Sequence, residues 1–176
     1  MLPEPSRSAD ARLDAEPQPQ TGLLHTHEEF DFVVNAPVDV AAPLFGAEAE
    51  RAWAPDWDPA FVWPQTPSDR PGMVFKVSHG DRTAVWVNTA FDRVANRIQY
   101  VYVIPDIVVT VVTLGLTPRQ TSTHVAVTYE RTALTQDANE RVRQMAARDA
   151  ASGPEWGRQI NDCLKTRPPV ETTPSP

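Results

Sequence analysis

Cysteine and long apolar runs are scarce in this chain of 176 residues, and each scarcity excludes a class of protein. The single cysteine, Cys163, cannot form an internal disulfide or hold an iron–sulfur cluster, so we expect no redox centre. No stretch approaches the roughly 20 apolar residues that a membrane-spanning helix needs, so we expect no membrane span. The first residues lack a basic segment followed by an apolar one, so we see no signal peptide and expect a cytoplasmic protein.

Positive charge is also in short supply, because 16 lysine and arginine residues face 23 acidic ones and the net charge is −7. Recognition of nucleic acid needs a concentrated basic surface, so we expect no nucleic-acid partner. The sequence contains neither a glycine-rich phosphate loop nor a nucleophile elbow. Asp56 and Asp58 form an acidic pair, but no cluster of His, Cys and carboxylates with ligand spacing lies nearby. We therefore expect no metal and no cofactor.

Proline is abundant at the two ends of the chain. Residues 1–22 contain four prolines and no aromatic residue, and residues 167–176 contain four prolines. Segments of this composition cannot bury enough apolar surface to fold, so we predict disordered tails. Residues 23–166 are left as one domain of ordinary size.

Between these tails the pattern predicts one strand, two short helices, six strands and a long helix. The alternation of residues 28–34 predicts the first strand, and Pro37 suits the first turn of the helix that follows. A second short helix is predicted over residues 48–53. The last helix is predicted over residues 136–165, with a kink at Gly153-Pro154. Runs rich in Val, Thr and Tyr, joined by hairpin-length turns, predict six antiparallel strands at residues 60–63, 72–79, 82–92, 97–104, 107–117 and 122–132.

The most informative motif is a rigid aromatic segment, Trp53-Ala54-Pro55-Asp56-Trp57-Asp58-Pro59. With Val85-Trp86-Val87, Ile98-x-Tyr100 and Thr128-Tyr129, and with this order of elements, it resembles a bacterial branch of the SRPBCC (START-like) superfamily of birch-pollen-allergen-like proteins and polyketide cyclases. The resemblance implies an α+β helix-grip fold, in which a curved antiparallel sheet of about seven strands wraps a long C-terminal helix and encloses a cavity. Fold similarity does not choose among the functions of that superfamily.

The hairpin at Gly80-Asp81 predicts which side chains face the interior. A two-residue loop places three pairs on one face of the sheet: His79–Arg82, Val77–Ala84 and Phe75–Trp86. We interpret this face as inward, because the opposite face of the first strand is more polar. His79 and Arg82 then either form a polar entrance that meets an anionic group or flank the turn in solvent.

Aromatic residues dominate the candidates for ligand contact. Tyr100 and Tyr102 share one face of their strand, where their hydroxyls either orient a ligand or bond to backbone. The tryptophans of the aromatic segment either line the cavity or pack the segment against the sheet. The ligand-binding candidates are Trp53, Trp57, Phe75, Val77, Trp86, Tyr100, Tyr102, Tyr129 and Met145.

Asp149 interrupts the apolar stripe of the last helix, near its centre. A carboxylate at this position either faces the cavity or lies in water at the bend. In the cavity, desolvation would raise its pKa towards values useful for acid–base chemistry. The catalytic candidates are Asp149, His79 and Arg82.

We favour binding of a small hydrophobic molecule, aromatic or polycyclic, by a monomer or homodimer. The alternative is a cofactor-free enzyme similar to polyketide cyclases and dehydratases. In that enzyme Asp149 or His79 would move a proton, while Arg82, Tyr100 or Tyr102 would hold an oxyanion. A third possibility is a protein-interaction module whose cavity is filled by side chains.

Overall fold

Seven antiparallel strands form one curved sheet in the computed structural model, which describes residues 22–166. The strands are β1 (His25–Val34), β2 (Ala60–Trp63), β3 (Val74–His79), β4 (Arg82–Asp92), β5 (Arg97–Ile104), β6 (Val108–Pro118) and β7 (Thr123–Ala133). Their order in the sheet is β1-β7-β6-β5-β4-β3-β2. The predicted meander of six strands is therefore confirmed, and β1 joins it at the far edge beside β7. The predicted tails, apart from Gly22, lie outside the described residues.

Two short helical segments follow β1 and close one end of the sheet. The first contains α1 (Val38–Ala41) and a 3₁₀ turn (Ala42–Phe45), and the second is a 3₁₀ turn (Ala49–Ala52). Pro37 precedes α1 as its N-cap, where the missing N–H costs nothing. Leu44 and Phe45 are fully buried, so these turns pack into the core of the protein.

The C-terminal helix is divided, and the predicted kink is a full break. A 3₁₀ turn (Gln136–Ala138) leads into α2 (Asn139–Asp149), and α3 (Gly153–Thr166) begins after three intervening residues. Pro154 has no N–H to donate to the preceding turn, so it suits the start of a new helix better than the interior of an old one. Within residues 22–166, no helix is long and apolar enough to cross a membrane.

The predicted register of the β3–β4 hairpin is confirmed. Phe75 pairs with Trp86, Val77 with Ala84 and His79 with Arg82. Phe75, Val77 and Ala84 are at most 1% exposed, whereas Lys76 and Ser78 on the opposite face are exposed. The Phe75–Trp86 face therefore faces inward, towards the helices.

Candidate functional site

An aromatic cavity of about 280 Å³ lies between the inner face of the sheet, the turn at Ala49–Ala52 and α3. Its apolar wall includes Trp53, Trp57, Phe75, Trp86 and Trp156. Its polar lining consists of Glu50, Tyr100, Tyr129, Glu155 and Gln159. We call this space the aromatic cavity.

Two of these tryptophans belong to the aromatic segment singled out in the sequence, and hydrogen bonds to the preceding turns hold them in place. The Trp53 indole N–H donates to the carbonyl of Leu44, and that of Trp57 donates to the carbonyl of Ala47, each at 2.7 Å. Both indoles are thus tied to the short helical segments after β1, and they serve as packing and as cavity wall at once.

The end of the aromatic cavity near the short helical segments is acidic. Burial raises the pKa of the Glu50 carboxyl well above its ordinary value, and the nearby charge of Asp69 raises it further. Burial also raises the pKa of Asp69, although the backbone N–H of Ala47 opposes that shift. The Tyr100 hydroxyl donates to the carbonyl of Phe45 at 3.0 Å. Burial raises the pKa of this phenol well above its ordinary value, so it stays neutral.

A second cavity, of about 290 Å³, lies beside the first and contains an ion pair. The two cavities share Trp57, Trp86 and Tyr129 as lining residues. Arg131 forms an ion pair with Asp149, and their side chains are only 4% and 14% exposed. We call this space the ion-pair cavity.

The environment of Asp149 makes it a weak acid near neutral pH. Burial raises its pKa to about 6, although the charge and hydrogen bonds of Arg131 act in the opposite direction. Arg131 also donates to the Tyr102 hydroxyl at 3.2 Å, and its guanidinium lies 4.3 Å above the centre of the Tyr129 ring. A carboxyl in this setting can hold or release a proton at ordinary pH.

A third pocket, of about 430 Å³, opens beside the ion-pair cavity at the end of the sheet where β3 meets β4. It shares Trp57, Tyr102, Met145 and Arg148 with the ion-pair cavity. Arg141 and Arg148 project from α2 at this mouth, and both are exposed. The three spaces form one series, acidic at one end and basic at the other.

The structure brings most of the candidate residues together along this series. Six of them line the aromatic cavity: Trp53, Trp57, Phe75, Trp86, Tyr100 and Tyr129. Tyr102, Met145 and Asp149 line the ion-pair cavity, and Val77 lines the third pocket. Arg82 is exposed at the hairpin end, where it pairs in register with His79, and it lines none of these three spaces. The ion-pair partner of Asp149 is Arg131.

The sequence interpretation missed several residues of the site. Arg131 carried a signal, because it falls in phase with Val127 and Tyr129 on the inward face of β7. Trp156 carried one as well, because it lies on the apolar stripe of the last helix. Glu50 and Gln159 carried none, because their positions depend on how the helical segments pack against the sheet. Among the described residues, no group of three or more His, Cys, Asp or Glu side chains is arranged to hold a metal ion.

Comparisons with known proteins show similarity of structure and none of sequence. No protein-family model matches the chain. No curated protein matches it either. Norcoclaurine synthase from Thalictrum flavum superposes with a TM-score of 0.63 at 9% identity, over 93% of this chain and 100% of the other. The same enzyme in complex with dopamine and hydroxybenzaldehyde gives a TM-score of 0.62 at 10% identity, over 92% of this chain and 99% of the other.

Two further structures extend the likeness. A Mesorhizobium loti protein superposes with a TM-score of 0.61 at 15% identity, over 81% of this chain and 100% of the other. DynU16, from a dynemicin biosynthetic locus, gives a TM-score of 0.55 at 16% identity, over 80% of this chain. The match spans about half of DynU16, 47% of its length. These likenesses confirm the helix-grip fold that was expected from the sequence.

Proposed function

We propose that this protein binds a small, largely hydrophobic aromatic molecule in the aromatic cavity. The observation that carries the proposal is a space of about 280 Å³ walled by tryptophan, tyrosine and phenylalanine rings. Ligand pockets are concave, mostly apolar and supplied with a few convergent polar groups, and this cavity has that composition. An open cavity also favours a ligand over the alternative of an interaction module with a filled interior.

The size of the cavity narrows the class of ligand. Pockets for small molecules start at about 300 Å³, so the aromatic cavity alone suits a molecule of one or two rings. A polycyclic ligand would have to extend past Trp57 into the ion-pair cavity, which adds about 290 Å³. The structurally similar norcoclaurine synthase is seen with two one-ring molecules, dopamine and hydroxybenzaldehyde, which supports the smaller size class.

Native mass spectrometry of the purified protein, followed by denaturing analysis, tests this proposal first. We expect a small aromatic molecule to co-purify, or a panel of one- and two-ring aromatic compounds to raise the melting temperature. Replacing Trp57 with alanine should weaken binding at least tenfold, since it removes a wall shared by all three spaces. Trp63→Ala is the matched control, because Trp63 is 55% exposed on the edge strand. An empty protein that no compound stabilises would overturn the proposal.

A second candidate function is cofactor-free acid–base catalysis, and one observation favours it. Asp149 combines a pKa of about 6 with a buried cation partner in a cavity that adjoins the ligand space. Such a group can take a proton from a bound carbonyl compound while Arg131 or Tyr102 stabilises the oxyanion that forms. This would be the chemistry of a cyclase or dehydratase.

The substitution Asp149→Asn separates binding from catalysis. Asparagine keeps the size of the side chain and an acceptor for Arg131, but it cannot transfer the proton. A binding protein should keep its affinity, whereas an enzyme should lose roughly 10²–10⁴-fold in turnover. Turnover that survives in the Asp149→Asn variant would exclude Asp149 as the base.

A further inference from the structure

The polar side chains that line the aromatic cavity include two carboxyl groups, Glu50 and Glu155, and among the described residues no lysine, arginine or histidine lines it. The indole N–H groups of Trp53 and Trp57 and the hydroxyl hydrogen of Tyr100 are all used on backbone carbonyls. The side-chain amide of Gln159 donates to Glu155 at 3.0 Å, which leaves its oxygen as an acceptor. Among the described lining residues, the donors left over are the N–H groups of Trp86 and Trp156, the second amide N–H of Gln159 and the Tyr129 hydroxyl, all of them uncharged.

Glu50 is the strongest acceptor in the cavity, and within residues 22–166 no cation offsets its charge. Its carboxyl lines the aromatic cavity, and the one charge that acts on it strongly is that of Asp69, which is also negative. The neighbouring cation Arg51 is engaged with Glu48 and Asp58 instead. A carboxylate removed from water without a cation is unfavourable, so an added positive charge at this position would be stabilised.

Four tryptophan rings line the same cavity as Glu50 and can attract the same charge. Trp53 and Trp156 meet edge to face, with ring centres 5.4 Å apart and an angle of 63° between them. Trp57 and Trp86 meet in the same way, at 5.2 Å and 83°. All four indoles line the cavity, and a ring face that borders the cavity attracts a cation, tryptophan most strongly.

We propose that the ligand of the aromatic cavity carries a positively charged amine, which Glu50 binds as counter-ion beside the tryptophan rings. This inference rests on the proposed binding function and adds the chemical class of the ligand. An aromatic or apolar body would fill the cavity as far as Trp86, while the ammonium group would lie at the acidic end, near the short helical segments.

Calorimetric titration of the full-length protein with matched pairs of compounds tests the proposal. The pairs are 2-phenylethylamine with 2-phenylethanol and tryptamine with tryptophol, so each amine has a neutral counterpart of the same shape. At about pH 8 an alkylamine is still protonated. We expect each amine to bind at least tenfold more tightly than its alcohol. The Glu50→Gln variant should lose this preference and keep its affinity for the alcohols within about twofold.

Glu48→Gln is the matched control, because Glu48 precedes the same turn but is exposed and paired with Arg51. This variant should keep the preference for amines. Alcohols that bind as tightly as the amines would overturn the amine inference and leave the binding function standing. If none of the four compounds binds, the binding function fails as well. A preference that persists in Glu50→Gln would remove Glu50 as counter-ion. The wild-type comparison decides the ligand class even if that variant does not fold.

Discussion

Two partly buried carboxyl groups show how differently single residues can be accommodated in one protein. Asp149 is paired with Arg131, whereas Glu50 lies near Asp69 and the described residues provide no cation for it. Burial raises the pKa of both groups, and only Asp149 has a cation that opposes the shift. The negative charge of Asp149 is thus balanced within the protein, whereas the negative charge of Glu50 is left for a ligand to balance.

Replacing Glu50 with glutamine should stabilise the free protein at neutral and alkaline pH. The folded-state pKa of Glu50 is raised, so ionisation lowers stability as pH rises from its ordinary pKa, 4.5, to the folded value. Glutamine cannot ionise and so removes that loss. At pH 8 we expect the free energy of unfolding to rise by about 1 kcal/mol, or the melting temperature by roughly 2–4 °C. The gain should vanish below the ordinary pKa, where the carboxyl is protonated in both states. Thermal melts across pH measure this, and a variant less stable than wild type at pH 8 would contradict it.

Replacing Arg131 with methionine should cost much more stability than replacing an exposed arginine. Methionine keeps an apolar stem against Tyr129 but leaves Asp149 buried without its cation, a change that costs about 3–5 kcal/mol. Arg51→Met breaks an exposed pair with Glu48 and should cost at most about 1 kcal/mol. Urea unfolding of both variants measures the difference. Similar small losses in both would mean that the buried pair adds little.

At the scale of secondary-structure elements, two glycines allow α3 to lie directly on β1. A Cβ atom at Gly153 would lie 2.7 Å from the carbonyl oxygen of Asp31, and one at Gly157 would lie 3.2 Å from the Cβ of Phe32. The break before Pro154 and these glycines therefore act together. The break frees α3 to change direction, and the glycines let it approach the strand.

Gly153→Ala should destabilise the protein by about 1–3 kcal/mol, because the added methyl group meets backbone that cannot move aside cheaply. Gly115→Ala is the matched control, since a Cβ on Gly115 in β6 has no neighbour within 4 Å. Gly115→Ala should leave the free energy of unfolding unchanged or raise it slightly, because alanine loses less backbone entropy on folding than glycine does. Urea unfolding compares the two, and equal effects would contradict the close approach of α3 to β1.

The strands could be predicted from the sequence, whereas the packing of the helices could not. Alternation and turn residues are local signals, so the β3–β4 register was right at every predicted pair, from His79–Arg82 to Phe75–Trp86. The break between α2 and α3 was anticipated only as a kink at Pro154. Whether a helix bends or restarts there depends on the strand against which it packs, and the sequence does not state that contact.

For the molecule as a whole, the aromatic wall of the site could be predicted and its polar groups mostly could not. Strand alternation and the hairpin register predicted the inward direction of Phe75 and Trp86, and both are buried. The acidic end depends on how the turn containing Glu50 meets the loop containing Asp69. That meeting is tertiary, so no spacing in the sequence reveals it.

We propose that residues 23–166 form a complete domain, since every strand and helix described here lies between His25 and Thr166. Asn139 donates to the carbonyl of Gly22 at 2.7 Å, so residue 22 is kept in the test. A chain trimmed to residues 22–166 should melt within about 2 °C of the full-length protein, a change well under 1 kcal/mol. It should also keep its affinity for the preferred amine. A larger loss of stability or affinity would assign the removed segments a structural role.

The pairing of β1 with β7 has a consequence for how the chain is made. His25 lies opposite Thr132, so β1 pairs with a strand that is more than a hundred residues away in the sequence. Because synthesis proceeds from the N-terminus, β1 has no strand to pair with while β2 to β6 are being synthesised. Throughout that interval Phe30 and Phe32 have neither β7 nor α3 to cover them. The nascent chain therefore exposes an unpaired, phenylalanine-bearing strand to chaperones until its last quarter has been translated.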